Sequence, residues 1–178
     1  MSETLILVDE NDNEIGTGEK MAVHRTGQLH RCFSIFVFNS AREVLLQKRA
    51  LSKYHSGGLW TNTCCGHPRP GETTEAAAHR RLEEEMGFDC AMSESFTFIY
   101  RAELDHSLTE HEFDHVFIGS YDGSVAPNPH EADDFAWRSM KSILDEMNAQ
   151  PDRFTVWSVI AFKELVLRTA LDGKTENP

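Results

Sequence analysis

The segment Trp60–Phe88 constrains the fold more than any other part of this chain of 178 residues. It reads WTNTCCGHPRPGETTEAAAHRRLEEEMGF: a short apolar stretch, a loop with Gly and Pro, and a helix-forming run. Thr73 or Thr74 suits the start of the helix, and Gly87 suits the left-handed position after its end. The sequence therefore predicts a loop followed by a helix between about residues 66 and 88.

This predicted helix has two chemically different faces. Ala78, Leu82 and Met86 recur every four residues and form a buried stripe. Arg81 and Glu85 share a different face, because they are also four residues apart. A Glu-rich helix alone is more often a solvated surface. The Cys, His and Gly residues directly before it favour a site instead. Its carboxylates offer hard oxygen ligands for Mg²⁺ or Mn²⁺, from Glu72, Glu75, Glu84 and Glu85.

Flanking segments predict a sheet and two more helices. Segments rich in β-branched, aromatic or other apolar residues predict strands at 4–8, 15–20, 30–39, 43–48, 96–103, 110–118 and 135–138. The strand at 43–48 is expected to pair as a hairpin with the strand at 30–39. Apolar spacing predicts helices at 140–149 and 155–171. We expect one domain over residues 1–178, with an ordered core from about 4 to 171 and a frayed C-terminal tail.

The tripeptide Glu110-His111-Glu112 opens one predicted strand. The strand period of two puts both carboxylates on one face and His111 on the other. Like charges on one face usually need solvent or a metal between them. No function is assigned to His106, His111 or His115.

Charge and cysteine content exclude several classes of protein. The net charge is −12, yet residues 20–81 hold ten Lys or Arg residues and three acidic ones. Broad nucleic-acid binding needs a basic face, so this pattern favours a compact anionic ligand at one site. The four cysteines include no C-x-x-C pair, which argues against a zinc ribbon or a disulfide framework.

Targeting signals are not evident in the sequence. The N-terminus lacks a basic region followed by an apolar run, and no apolar stretch approaches the roughly 20 residues of a membrane helix. We expect a cytoplasmic monomer or dimer that does not bind membranes.

The central segment carries a recognisable spacing of residues. It runs Gly66, five residues, Glu72, seven residues, Arg80-Arg81-Leu82, then Glu84-Glu85, one residue, and Gly87-Phe88. This spacing resembles the Nudix box, except that Arg81 stands at a usual glutamate position, which argues against ordinary pyrophosphate hydrolysis. The CCGHP stretch with the downstream Glu-x-Glu resembles the type I isopentenyl-diphosphate isomerase family. The resemblance implies a Nudix-type α/β (α+β) fold, with a mixed β-sheet flanked by helices.

The resemblance also implies an activity and the residues that perform it. The activity is interconversion of isopentenyl and dimethylallyl diphosphate through a tertiary carbocation, in isoprenoid biosynthesis. Cys65 and Glu112 would transfer protons, Tyr100 would assist, and Trp157 would face the cation. The order of the two transfers and the role of Cys64 stay open.

Two kinds of binding residue follow from the same resemblance. The diphosphate would be held by Lys20, Arg49, Lys53 and Arg81. One divalent ion, Mn²⁺ or Zn²⁺, would be held by His24, His30, His67, Glu110 and Glu112. A Mg²⁺ beside Glu85, with the Cys65 backbone as another contact, would bridge the diphosphate.

Two alternatives predict different behaviour. A Nudix hydrolase of a nucleoside diphosphate derivative would share the fold and release phosphate. A metal-dependent binding module would bind ions and anions without turnover. The sequence shows no flavin or dinucleotide fingerprint, so neither cofactor is expected.

Overall fold

A computed structural model describes residues 3–53 and 55–172, and side chains through residue 169. Within these ranges the chain forms nine strands and four helices. The strands are β1 (Thr4–Val8), β2 (Glu14–Glu19), β3 (His30–Phe38), β4 (Glu43–Arg49), β5 (Trp60–Thr61), β6 (Cys64–Gly66), β7 (Met92–Glu103), β8 (Thr109–Ser120) and β9 (Ala132–Ser139). The helices are α1 (Lys20–Thr26), α2 (Thr74–Met86), α3 (Met140–Ala149) and α4 (Val156–Asp172).

These elements confirm the predicted α+β class, and most predicted segments match an observed element. β7 begins four residues earlier than predicted, and α1 occupies a stretch to which the sequence assigned no element. The predicted fraying of the tail falls on residues 173–178, which lie outside the described part of the chain. No helix among the described residues is long and apolar enough to cross a membrane.

Strand β3 is the centre of the mixed sheet. It pairs in parallel with β8 along its whole length, from His30 opposite Glu112 to Phe38 opposite Ser120. It also pairs antiparallel with β6, where Ser34 lies opposite Cys65. Most of β3 is buried, as expected for a strand covered on both faces.

The predicted hairpin between the third and fourth strands is wrong for most of its length. Only Phe38 and Val44 are paired, next to the turn. β4 instead pairs along its length with β9, while β6 and β8 pair with β3. The sheet therefore splits after the turn, because long-range pairing outweighs pairing between neighbours in sequence.

Alternation along β3 divides the core between the two faces of the sheet. Phe33, Ile35 and Val37 pack beneath α2. On the other face, Phe36 packs against residues of α3 and α4, including Phe162. Helix α2 covers its side with the predicted stripe of Ala78, Leu82 and Met86, which are fully buried.

Both ends of α2 are set by local chemistry. The Thr73 side chain accepts a hydrogen bond from the Ala76 amide, and Gly87 closes the helix at φ 74° with its amide bonded to the Glu83 carbonyl. A Cβ at Gly87 would overlap the carbonyl of Ala126 in the loop before β9. Glycine is therefore required here both for backbone conformation and for a close approach.

We predict that Gly87→Ala destabilises the protein by more than Gly71→Ala. Gly71 also has positive φ, but a Cβ there meets nothing within 4 Å. Gly71→Ala should lower the free energy of unfolding by about 1 kcal/mol, because alanine disfavours the left-handed conformation. Gly87→Ala should lower it by about 1–3 kcal/mol more, because of the steric overlap. Urea unfolding followed by circular dichroism measures both. Equal losses of stability in the two variants would show that the backbone at Ala126 moves away from the added methyl group at little cost.

Candidate active site

A cavity of about 750 Å³ opens on the face of the sheet that carries α4. On that face of β3, Phe36 belongs to the apolar core, whereas Ser34 and Cys32 line the cavity. Along the paired strand β8, the same face also changes from apolar to polar, from Val116 in the core to Glu112 in the cavity wall. The cavity thus continues the hydrophobic core at the point where both strands become polar.

The predicted geometry of the Glu-x-Glu strand is confirmed. Glu110 and Glu112 are both buried and line the cavity. His111 is partly exposed on the opposite face, where its Nδ1 lies 3.0 Å from the Gly27 carbonyl oxygen. Parallel pairing places Glu112 opposite His30, so two residues 82 positions apart face the same site.

Three histidines and Glu110 form a compact cluster of potential metal ligands. His24 comes from α1, His30 from β3 and His67 from the loop after β6. One nitrogen or oxygen from each of the four residues lies within 4.8 Å of the others. Glu110 Oε2 is 3.1 Å from His24 Nε2, but neither atom makes an aligned hydrogen bond.

The cluster has the character of a cation site. Among the described residues, the buried atoms that lack a hydrogen-bond partner include His24 Nε2, His30 Nε2, His67 Nδ1 and Glu110 Oε2. Orphaned buried polar atoms are costly and rare, so their convergence indicates a missing ligand. Imidazole nitrogens with carboxylate oxygens suit a divalent ion such as Mn²⁺ or Zn²⁺. The residues present therefore fit a divalent metal.

Glu112 connects this cluster to the cavity. His67 Nε2 lies 2.9 Å and His30 Nε2 3.4 Å from Glu112 Oε1, and the Tyr100 hydroxyl donates to the other carboxylate oxygen. Burial favours the neutral acid, but the nearby His30 ring and the hydrogen bond to His67 outweigh it and hold the pKa of Glu112 well below its usual value. Burial likewise opposes a charge on His67, but its hydrogen bond to Glu112 and the carboxylate of Glu3, 3.8 Å away, raise its pKa to about 9.

The thiol of Cys65 lines the same cavity as Glu112. Burial, together with the negative charge of Glu85, raises the pKa of Cys65 to about 12, so the thiol keeps its proton. Its neighbour Cys64 belongs to the core beneath α2, since successive residues of a strand face opposite sides. Within the described residues all four cysteines are free thiols.

Aromatic residues form the apolar part of the cavity. Tyr100 and Trp157 share one hydrophobic cluster, against which Cys65 packs. The Trp157 indole donates to Thr61 Oγ1 at 3.1 Å, which fixes the ring. His55 packs edge-on against Trp157 with ring centres 5.4 Å apart. Trp157 therefore lines the cavity.

The four predicted phosphate-binding cations all line the cavity: Lys20, Arg49, Lys53 and Arg81. The Arg49 guanidinium lies 5.1 Å from the centre of the Trp157 ring, and its Nε has no hydrogen-bond partner among the described residues. Lys20 is 2.8 Å from a Glu3 carboxylate oxygen. These four cations, called the basic wall below, thus belong to the lining of one cavity.

Of the four glutamates proposed as oxygen ligands on or near α2, Glu85 alone lines the cavity. It is buried, and it accepts hydrogen bonds from Gln47 at 2.8 Å and from Arg81. Glu72 instead pairs with Arg80 through two bonds of 2.7 and 2.8 Å, and Glu84 pairs with Arg81. Glu75 lies in the first turn of the helix, away from the cavity wall.

Sequence reasoning missed several residues in or beside the cavity, among them three with ionisable side chains whose pKa values are shifted: Asp114, His55 and Glu131. Asp114 accepts a bond of 2.8 Å from Ser34, and burial and the charge of Glu112 raise its pKa to about 7. Its signal was present, because residues 110, 112 and 114 share one strand face. His55 and Glu131 line the cavity from loops, where no periodic pattern marks them.

Comparisons with known proteins agree with this architecture. A Nudix domain is matched over residues 28–158. An isopentenyl-diphosphate Delta-isomerase of Serratia proteamaculans is 52% identical, covering 93% of this chain and 92% of that protein. The isopentenyl-diphosphate Delta-isomerase 2 of Aromatoleum aromaticum is 47% identical, covering 97% and 92%. This chain belongs to the isopentenyl-diphosphate Delta-isomerase family of Nudix proteins. The resemblance read from CCGHP and Glu-x-Glu is confirmed.

Solved structures support the same fold at lower similarity. A Deinococcus radiodurans protein superimposes with a TM-score of 0.70 at 21% identity, covering 83% of this isomerase and 90% of that chain. The MutT protein of Methanosarcina mazei gives a TM-score of 0.63 at 18% identity, covering 84% and 96%. At these identities the likeness concerns the fold alone.

We predict that His24→Gln lowers the affinity for Mn²⁺ or Zn²⁺ by at least about tenfold, because changes even in residues behind metal ligands cost that much. His111→Gln is the matched control, since His111 lies on the other face of β8. Dialysis against either ion, followed by elemental analysis, measures the retained metal. Parent-like retention by His24→Gln, or equal losses in both variants, would contradict the cluster.

A second prediction concerns His55 and acid stability. Burial and the positive charge of Arg49 lower its pKa to about 3, so the folded protein holds a neutral imidazole. The unfolded chain takes up this proton near pH 6.5, so stability falls as the pH drops below that value. The loss reaches about 2 kcal/mol by pH 5.

His55→Asn should remove this part of the pH dependence, whereas His106→Asn at an exposed loop position should not. Urea unfolding at pH 7.5 and pH 5 for the three proteins provides the test. An unchanged pH dependence in His55→Asn would show that the imidazole is not buried in neutral form.

Proposed function

We propose that the cavity holds isopentenyl diphosphate with its diphosphate on the basic wall and its alkene between Cys65 and Glu112. Family membership carries the reaction itself: the protein is an isomerase that interconverts isopentenyl and dimethylallyl diphosphate, in isoprenoid biosynthesis. The observation that supports the proposed placement is that one cavity contains the thiol, the carboxylate and the four cations.

The reaction needs an acid and a base at different carbons. Adding a proton to the terminal carbon of the alkene leaves a tertiary carbocation. Loss of a proton from the neighbouring methylene on the diphosphate side then forms the new double bond. Proton balance requires one group to give a proton and another to take one. Cys65 and Glu112 fill these roles in our proposal, and either order balances the protons.

The surroundings of the two groups suit a carbocation. The Tyr100 hydroxyl, bonded to Glu112, orients that carboxylate. The held indole of Trp157 offers a π-face, which attracts a cation. The apolar cluster of Tyr100 and Trp157, against which Cys65 packs, would limit the water that captures the cation. We assign Tyr100 an assisting role and Trp157 the stabilising role.

Divalent ions complete the proposed site. His24, His30, His67, Glu110 and Glu112 would hold one Mn²⁺ or Zn²⁺. Mg²⁺ would be held beside Glu85, with the Cys65 backbone as a further contact. When bound, these ions supply positive charge that fixes the Glu112 carboxylate and neutralises the diphosphate. Lys20, Arg49, Lys53 and Arg81 hold phosphate oxygens, with arginine as a fork and lysine as a point charge.

The proposal extends to the setting of the enzyme. We place residues 1–178 in one domain that acts in the cytoplasm as a monomer or dimer. Its net charge of −12, with six of the 17 basic residues lining the cavity, supports a small diphosphate substrate and not a nucleic acid.

Product identification tests the function. Isopentenyl diphosphate is incubated with the protein, Mg²⁺ and Mn²⁺ in D₂O and followed by NMR. We expect dimethylallyl diphosphate that carries solvent deuterium, without release of phosphate. Phosphate release without the shifted alkene would favour a Nudix hydrolase. Binding without any product would favour a binding module.

We predict that Cys65→Ala lowers kcat by at least about 100-fold, the usual contribution of a proton-transfer group, while diphosphate affinity changes little. Cys64→Ala is the matched control. It leaves a small hole beneath α2 and should cost about 1 kcal/mol of stability but retain turnover. Steady-state kinetics with pyrophosphate as a competitor separates the two effects. Retained turnover in Cys65→Ala would refute its role.

A further inference from the structure

The basic wall of the cavity contacts a carboxylate that the proposed reaction does not use. Glu131 lies in the loop just before β9, and its side chain is 19% exposed. One of its oxygens accepts a hydrogen bond from Lys53, and the other lies 3.4 Å from Arg81 Nη2. One internal anion therefore engages two of the four cations proposed for the diphosphate.

The backbone fixes the position of Glu131. Its carbonyl accepts a hydrogen bond of 2.9 Å from the Ala50 amide, and its amide donates to the Asn128 carbonyl at 2.9 Å. Asn128 in turn donates its amide to the Glu85 carbonyl at 2.9 Å. These bonds tie the loop to the end of β4 and to α2, so the fold places this carboxylate at the wall.

The contacts also keep Glu131 ionised. Burial works against the charge, but Lys53 and Arg81 outweigh it and lower the pKa of the carboxyl. A dianion or trianion that approaches Lys53 and Arg81 therefore meets a negative charge already bound to them.

Charges on the cavity wall are nearly balanced among the described residues. Six side chains are basic: Lys20, Arg49, Lys53, Arg69, Arg80 and Arg81. Five are acidic: Glu3, Glu85, Glu110, Glu112 and Glu131. An entering diphosphate therefore meets acidic side chains among the cations of the wall.

We propose that Glu131 is an internal competitor for the substrate diphosphate, which makes capture of that diphosphate depend on an accompanying divalent ion. This inference rests on the proposed function of the same site. The entering phosphate oxygens take over Lys53 and Arg81, and the carboxylate of Glu131 is displaced from them. A diphosphate that carries a metal ion has less charge to be repelled, so it enters at lower cost.

Pyrophosphate binding tests the proposal without reference to turnover. Inorganic pyrophosphate is titrated calorimetrically into Glu131→Gln and the parent protein, once in EDTA and once with excess Mg²⁺. We expect Glu131→Gln to bind about tenfold more tightly in EDTA, as removal of one partly exposed charge at contact distance implies. The gain in pyrophosphate affinity of Glu131→Gln over the parent protein should be smaller with Mg²⁺.

Asp134→Asn is the matched control, because it removes one negative charge from β9, three residues after Glu131. Asp134 is exposed, accepts a bond from the Phe135 amide and does not line the cavity. Its pyrophosphate affinity should stay close to that of the parent. Glu131→Ala replaces Glu131→Gln in the comparison if circular dichroism shows that the glutamine variant is not folded.

Three results would overturn the role of Glu131. In the first, Glu131→Gln binds pyrophosphate in EDTA no more tightly than the parent protein does. In the second, Asp134→Asn gains as much affinity as Glu131→Gln. In the third, Glu131→Gln loses affinity with Mg²⁺ alone, which would make Glu131 a metal ligand. A different result would contradict the proposed function: no pyrophosphate binding by any of the proteins, even with Mg²⁺. That outcome would remove the diphosphate site and the competitor together.

Discussion

The site depends on the parallel pairing of β3 with β8. This register sets His30 opposite Glu112 and turns the same face of both strands towards one cavity. Along β3 that face changes from Phe36 in the core to His30 in the ligand cluster. A shift of one residue in either strand would turn its polar side chains to the opposite face.

This arrangement places charges where they are costly. Glu110, Glu112, His24 and His30 are all buried, and moving each ion-forming group from water costs several kcal/mol before its partners are counted. Hydrogen bonds to His67 and Tyr100 offset part of this cost for Glu112. The rest of the desolvation cost falls on the atoms of the cluster that lack a hydrogen-bond partner, and a bound cation would offset it. Metal binding and folding stability are therefore coupled at this site.

Local features of the chain were predictable because their causes are local. The cap at Thr73, the stop at Gly87 and the shared face of Glu110 and Glu112 follow from spacing and backbone preference alone. Asp114 obeys the same strand period, so its position beside Glu112 was predictable in the same way.

Long-range pairing was not predictable in this way. β4 pairs along its length with β9, about 90 residues away, and not with its sequence neighbour β3. Burial and register across the whole sheet contribute more to the pairing than the short turn between β3 and β4 does. The family resemblance implied candidate cations and metal ligands, but not the carboxylate of Glu131 that contacts two of those cations. Loop residues such as His55 and Glu131 are brought to the site by the tertiary fold. No periodic pattern in the sequence predicts their positions.

X-ray absorption spectroscopy of the Mn²⁺-loaded protein would show which side chains bind the ion. Because the register of β3 with β8 sets His30 beside Glu112, next to His24, His67 and Glu110, we expect the outer-shell scattering of several imidazole rings together with oxygen ligands. A spectrum fully described by oxygen ligands, with no imidazole contribution, would contradict this expectation.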